Sequence, residues 1–247
     1  MKNMRLPFHR LFAPILFSLA VAVAPLRADD TMAQPSQPVQ SSQLHYLTGK
    51  KPNAIELLAP PPLPDSPEQA ADMAEVQAVY HAATSNDIAA AYSEKKFDIF
   101  NFKPAIGDFF VAGKFPKTEA FFDNVQKDAE AVTDKAKDYY QRPRPYVTDP
   151  SLVNGKLEKS FSYPSGHSTE SMVLALVLAD VFPDKHDAII AEARTIGWHR
   201  VQTARHYPTD IYAGRVLAQA IVKQMEKNDD FIKDIAEVKA EVAAAQK

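Results

Sequence analysis

From Ser66 to the end of the chain, apolar residues recur at helical spacing and not in alternation. Ser66 is a good N-cap, Pro67 suits the first helical position, and Gln69 stands where a capping box places its reciprocal acceptor. Ala70, Met73, Ala74, Val76, Gln77 and Tyr80 then follow with helical and not alternating spacing. Further helices are predicted at about 85–95, 118–141, 167–181, 185–197 and 209–227. The run from Ser171 to Phe182 is nearly all apolar and predicts a central, buried helix. Phe231, Ile235, Val238 and Val242 predict a last helix, over 229–247, that closes the core from the surface. No strand-like alternation runs longer than about five residues, and no internal repeat is present. The fold class is all-α: a single compact helical domain over 65–247.

The first 64 residues follow other rules. Lys2, Arg5 and Arg10 precede an apolar run from Leu11 to Ala24, and small-residue cleavage patterns end at Ala24 and Ala28. Residues 1–28 therefore read as a secretory signal cut after Ala28, and the run is short for a membrane span. An exported, periplasmic protein with no stable membrane span after processing is expected. Residues 29–64 are polar and then proline-rich, which predicts an extended N-terminal arm, with Leu57 and Leu58 placed to pin its end to the domain.

Composition narrows the chemistry. The 247 residues are 46% apolar and 24% charged, which fits one large domain. A net charge of −3 gives no sign of a nucleic-acid partner. Removal of residues 1–28, which carry four basic and no acidic residues, leaves about −7. The absence of cysteine excludes disulfides, thiol catalysis and zinc–thiolate sites.

Against this acidic background three segments concentrate cations and histidines: Ala136 to Pro145, Tyr163 to Ser168, and His199-Arg200 followed by Arg205 to Asp210. If they converge, Lys137, Arg142, Arg144, Arg200 and Arg205 make a cationic pocket suited to the non-bridging oxygens of a phosphoryl group. No carboxylate cluster with metal-ligand spacing accompanies them, so arginine and lysine have to neutralise the charge. Pro164-Ser165-Gly166 leads into an apolar helix, which brings the N–H groups of Ser165, Gly166 and His167 to a helix N-terminus. Pro208 fits a first helical turn, so Asp210 can reach back to one imidazole nitrogen of His206 and leave the other to attack phosphorus. His167 remains to protonate the leaving oxygen.

The order and spacing of the three segments resemble the type 2 phosphatidic acid phosphatase superfamily, with its K-x6-R-P, P-S-G-H and S-R-x5-H-x3-D pattern. The chain is most similar to bacterial class A non-specific acid phosphatases, over roughly residues 55–220. The resemblance implies phosphate binding by Lys137, Arg144, Ser165, Gly166 and Arg200. It also implies a His206 nucleophile partnered by Asp210, His167 as general acid, and neither metal nor cofactor. K-x6-R-P fits twice, at Lys135 and at Lys137, and the class A pattern selects Lys137 with Arg144. His199 replaces the family's serine; it is expected either to shape the acid limb of the pH profile or to face solvent. Small phosphomonoesters are the expected substrates, and a homo-oligomer is a possible assembly. The alternatives are a soluble lipid- or sugar-phosphate phosphatase or phosphotransferase, a vanadium-dependent haloperoxidase, and a non-catalytic phosphate-binding module.

Overall fold

The computed structural model describes residues 44–246. The expected signal segment, and the arm up to residue 43, lie outside the described residues. Seven helices carry the fold: α1 (Pro67–Ala82), α2 (Ser85–Ser93), α3 (Pro116–Tyr140), α4 (Gly166–Val181), α5 (His186–Gln202), α6 (Pro208–Met225) and α7 (Asp229–Ala245). Shorter helical turns fill Ala54–Leu57, Ile99–Ile106 and Pro145–Leu152. No strand occurs among the described residues, so the fold is all-α. No described helix is long and apolar enough to cross a membrane.

Local sequence explains most of the boundaries. Ser66 Oγ accepts the Gln69 N–H, as an N-cap should. The Gln69 side chain does not complete a capping box; its Oε1 accepts from Arg142 instead, at 2.6 Å. Helix α3 stops where Gln141 turns left-handed (φ 49°), its N–H bonded to the Lys137 carbonyl at 2.9 Å. Helix α5 runs to Gln202, past the end expected at 197, because Val201 is buried and keeps the helix packed. His199 and Arg200 thereby ride on a rigid helix.

Helix α4 is the central element, packed against α3, α5 and α6. Its buried hydroxyls are all used: Ser168 Oγ donates to the Ile211 carbonyl at 2.8 Å and Thr169 Oγ1 to the Ser165 carbonyl at 2.9 Å. Helix α6 approaches so closely at Gly214 that a Cβ there would lie 2.9 Å from the Ser165 carbonyl oxygen and 3.0 Å from the Thr169 nitrogen. This contact sets the N-terminus of α4 against the opening turn of α6, where two of the three motif segments lie.

Of the two leucines placed to pin the arm, Leu58 is buried and Leu57 exposed. From Leu44 on the arm belongs to the core: Tyr46, Leu47 and Ala54 are buried as well. The Asp128 carboxylate of α3 accepts the N–H groups of His45, Tyr46 and Leu47 at 2.7–2.9 Å. The Tyr46 hydroxyl donates to Asp234 of α7 at 3.0 Å. One buried carboxylate on α3 thus folds the arm under the first turns of α7, which a proline count does not reveal.

Gly214→Ala should destabilise the protein by about 1–3 kcal/mol, because backbone atoms of α4 have to move to admit one methyl group. Chemical denaturation checks this; unchanged stability would mean that the helices separate freely there.

Candidate active site

The three motif segments meet at the N-termini of α4 and α6. Lys137 lies in the last turn of α3, buried, with Nζ donating to the Phe161 carbonyl at 2.9 Å. Lys135 is exposed, so Lys137 and Arg144 are the pair that enter the site. Arg144 follows the α3 reversal; its Nε and Nη2 donate to Ser160, and Nη1 donates to the Arg205 carbonyl at 2.9 Å. Arg200 enters from the last turn of α5. Burial and the Arg144 charge together pull the Lys137 ammonium down to about 7.

His206 is buried just before α6. Its Nδ1 lies 3.3 Å from Asp210 Oδ2 and its Nε2 lies 3.1 Å from Arg144 Nη1. Arg144 Nη1 can only donate, so Nε2 faces it as the acceptor and Nδ1 carries the hydrogen toward Asp210. Burial, then the charges of Arg144 and Lys137, hold this imidazole well below its usual range and therefore neutral. Asp210 is itself held by the Tyr207 N–H (2.9 Å), Ser162 Oγ (2.5 Å) and Arg142 Nη1 (2.6 Å).

Ser165 is the N-cap of α4, and its Oγ accepts the Ser168 N–H at 3.3 Å. A Cβ at Gly166 would sit 3.3 Å from Glu170 Oε1 and 3.8 Å from Lys137 Cε, so glycine leaves room beside the lysine. His167 Nε2 is buried without a hydrogen-bond partner, while the ring interacts with the Glu94 backbone and packs 5.4 Å from the Phe97 ring. Burial, then Arg200, push His167 down to about 3.

All eight expected residues therefore converge, but one further expected cation, Arg142, is committed elsewhere. Arg142 donates to Asp210, Thr209, Gln69 and Asp72 at 2.6–2.7 Å, with its guanidinium 3.9 Å from the Tyr207 ring centroid. It is a buried brace between α1 and α6. Arg205 donates to Asn154 through Nη2 and lines a cavity together with Arg200 and Glu158. His199 neither faces solvent nor enters the pocket: it is buried, its Nδ1 2.8 Å from Glu94 Oε2.

Three residues escaped the sequence reading. Asp72 and Ser162 are partners that only the packing reveals. Glu158 lies between Arg144 (2.7 Å) and Arg200. Burial raises this carboxyl, and the two guanidiniums more than offset that, to about 2. The available signal was Asn154-Gly155, a turn pair just ahead of it, with Gly155 at φ 60°. No group of three or more His, Cys, Asp or Glu placed to hold a metal occurs among the described residues.

Comparison with known proteins matches residues 129–225 to the PAP2 superfamily. A non-specific acid phosphatase of Providencia stuartii is 32% identical over 138 residues, 53% of this chain and 56% of that protein. The chain thus spans little more than half of that relative's length. A non-specific acid phosphatase of Salmonella typhi is 28% identical over 238 residues, 92% of this chain and 91% of the other. Among solved structures, a transmembrane PAP2 type phosphatidylglycerolphosphate phosphatase from Bacillus subtilis aligns with a TM-score of 0.49 and 21% identity. That alignment covers 66% of this chain and 87% of that one.

The hydrogen bond to Glu94 raises the His199 imidazole above its usual value. The pair's contribution to stability is complete below about pH 6.5 and is lost as pH rises through the higher folded-state value. The stability difference between the protein and its His199→Gln variant should shrink from pH ~5.5 to ~8.5. A difference constant with pH in denaturant titrations would show that the imidazole is neutral throughout.

Proposed function

The chain carries a PAP2 superfamily domain over residues 129–225, and from that premise we propose that it is an acid phosphatase hydrolysing phosphate monoesters through a phosphohistidine on His206. The support is geometric: Nε2 of a neutral imidazole, oriented from behind by Asp210, meets the Arg144 guanidinium amid the charges of Lys137 and Arg200. A non-catalytic binding module would need the cations but not an oriented, deprotonated histidine.

In this reading the non-bridging oxygens of the ester lie on Lys137, Arg144 and Arg200, with the N–H groups at the start of α4 adding donors. The Nε2 lone pair of His206 attacks phosphorus and the P–O bond to the alcohol breaks. His167, as imidazolium, gives its proton to the departing oxygen and becomes neutral. It then takes a proton from water, whose oxygen attacks phosphorus as the P–N bond breaks, releasing phosphate and the free His206. Asp210 balances the cationic imidazole of the intermediate. The three side-chain cations supply the charge neutralisation that other phosphatases draw from metals, so neither metal nor cofactor takes part. Small phosphomonoesters of broad range are the proposed substrates, and the character of residues 1–28 supports export to the periplasm.

His206→Ala should lower turnover of a small aryl phosphate by at least about a thousandfold while the far-UV spectrum stays helical. Wild-type activity should survive excess EDTA. Retained activity in the variant would reassign the nucleophile, and loss to EDTA would bring a metal into the reaction.

The His167 value of about 3, set chiefly by burial and Arg200, applies without substrate; a bound phosphoryl dianion adds negative charge there and raises it. The alkaline limb of kcat, which reports the complex, should therefore lie at higher pH than that of kcat/KM. Coincident limbs would remove His167 from the role of acid.

A further inference from the structure

Arg144 and Arg200 already share one anion. Glu158 places Oε2 2.7 Å from Arg144 Nη2 and pairs Oε1 with Nη2 of Arg200. Two oxygens of one acid on two buried guanidiniums is the arrangement that two non-bridging oxygens of a phosphoryl group would adopt on the same pair. The carboxylate and a phosphoryl group thus compete for the same donors.

The cluster needs such an anion. Arg144 and Arg200 are 3% and 5% exposed and Lys137 4%. Like charges buried this closely destabilise one another unless a counter-charge is held among them.

The Glu158 side chain is also placed to leave. Its backbone is fixed, because the Tyr146 hydroxyl accepts the Glu158 N–H at 3.1 Å and donates to the Glu158 carbonyl at 3.2 Å. The side chain is freer, 32% exposed. It borders a cavity of about 310 Å³ shared with Arg200 and Arg205, whose wall combines Tyr92 and Leu157 with Lys95, Lys156 and Lys159. A rotated carboxylate would come within reach of the ammonium groups of those lysines.

We propose that Glu158 is a built-in counter-ion of the phosphate seat, displaced into the lysine-lined cavity by the substrate's phosphoryl group and returning to Arg144 and Arg200 as inorganic phosphate departs. This rests on the reading of those two arginines as phosphate ligands. Every ligand of the seat then competes with the same internal anion, so all apparent dissociation constants are raised by one common factor. Glu158 touches no reacting atom; it sets affinity and phosphate release.

The test is calorimetric titration of inorganic phosphate into the full-length protein and its Glu158→Gln variant, beside KM for a small aryl phosphate. For a partly exposed carboxylate on two guanidiniums the expected gain is about tenfold in phosphate affinity, with KM lowered by the same factor. The variant should also melt at lower temperature without phosphate and gain more than wild type when phosphate is added. Glu158→Asp, one methylene too short to span both arginines, should fall between the two and carries the test if the glutamine variant does not fold. Phosphate affinity that is unchanged or weaker in both variants overturns the proposal. If wild type hydrolyses the ester while both variants keep its KM, this inference alone falls. If wild type neither binds phosphate nor hydrolyses the ester, the proposed function falls with it.

Discussion

A single carboxylate, that of Asp210, holds the structure's parts in register. It is fully buried, and each of its oxygens is committed: Oδ2 to His206, Tyr207 N and Ser162, Oδ1 to Arg142. A buried carboxylate is tolerated only when its lone pairs are met by charge and hydrogen bonds together. Satisfying this one draws in four separate parts of the chain. Arg142 brings α1 through Gln69 and Asp72, Ser162 brings the strap ahead of α4, and Tyr207 starts α6. The same group that orients His206 therefore also assembles the walls of its pocket.

Around that anchor the electrostatics are deliberately unbalanced. An acidic protein gathers three cations into a space where water barely reaches, and burial lowers both histidines and Lys137 from their ordinary values. In the proposed reaction only His206 has to be neutral, since a protonated His206 would have no lone pair to offer phosphorus. The arrangement is sustained by anions supplied from the fold: Asp210 behind His206 and Glu158 between the arginines. Arg142, close in sequence to Arg144 and chemically identical, is spent entirely on structure; its neighbours Asp72 and Asp210 decide that.

The helices matter to the site mainly through their ends. Lys137 closes α3, Arg200 closes α5, Ser165 caps α4 and Asp210 lies in the first turn of α6. Each side chain inherits the rigidity of a helix while its reactive atoms lie beyond the last turn. The close contact of Gly214 with Ser165 makes the two helix N-termini one unit.

Local pattern alone determined the helices, because 3.6-residue periodicity, N-caps such as Ser66 and prolines at first turns act over a few residues. It also singled out the eight residues that the fold brings together, because the order and spacing of three short motifs survive whatever lies between them. Other outcomes were decided by tertiary packing. Whether the arm hangs loose or is clamped from Leu44 depends on Asp128, far away in sequence. Whether Lys135 or Lys137 enters the pocket depends on which face of α3 meets α4. The roles of Arg142, His199 and Glu158 depend on partners 70, 105 and 42 residues distant. A charged side chain's role is set by the charges it finds on burial, and those neighbours are fixed only when separate helices pack together.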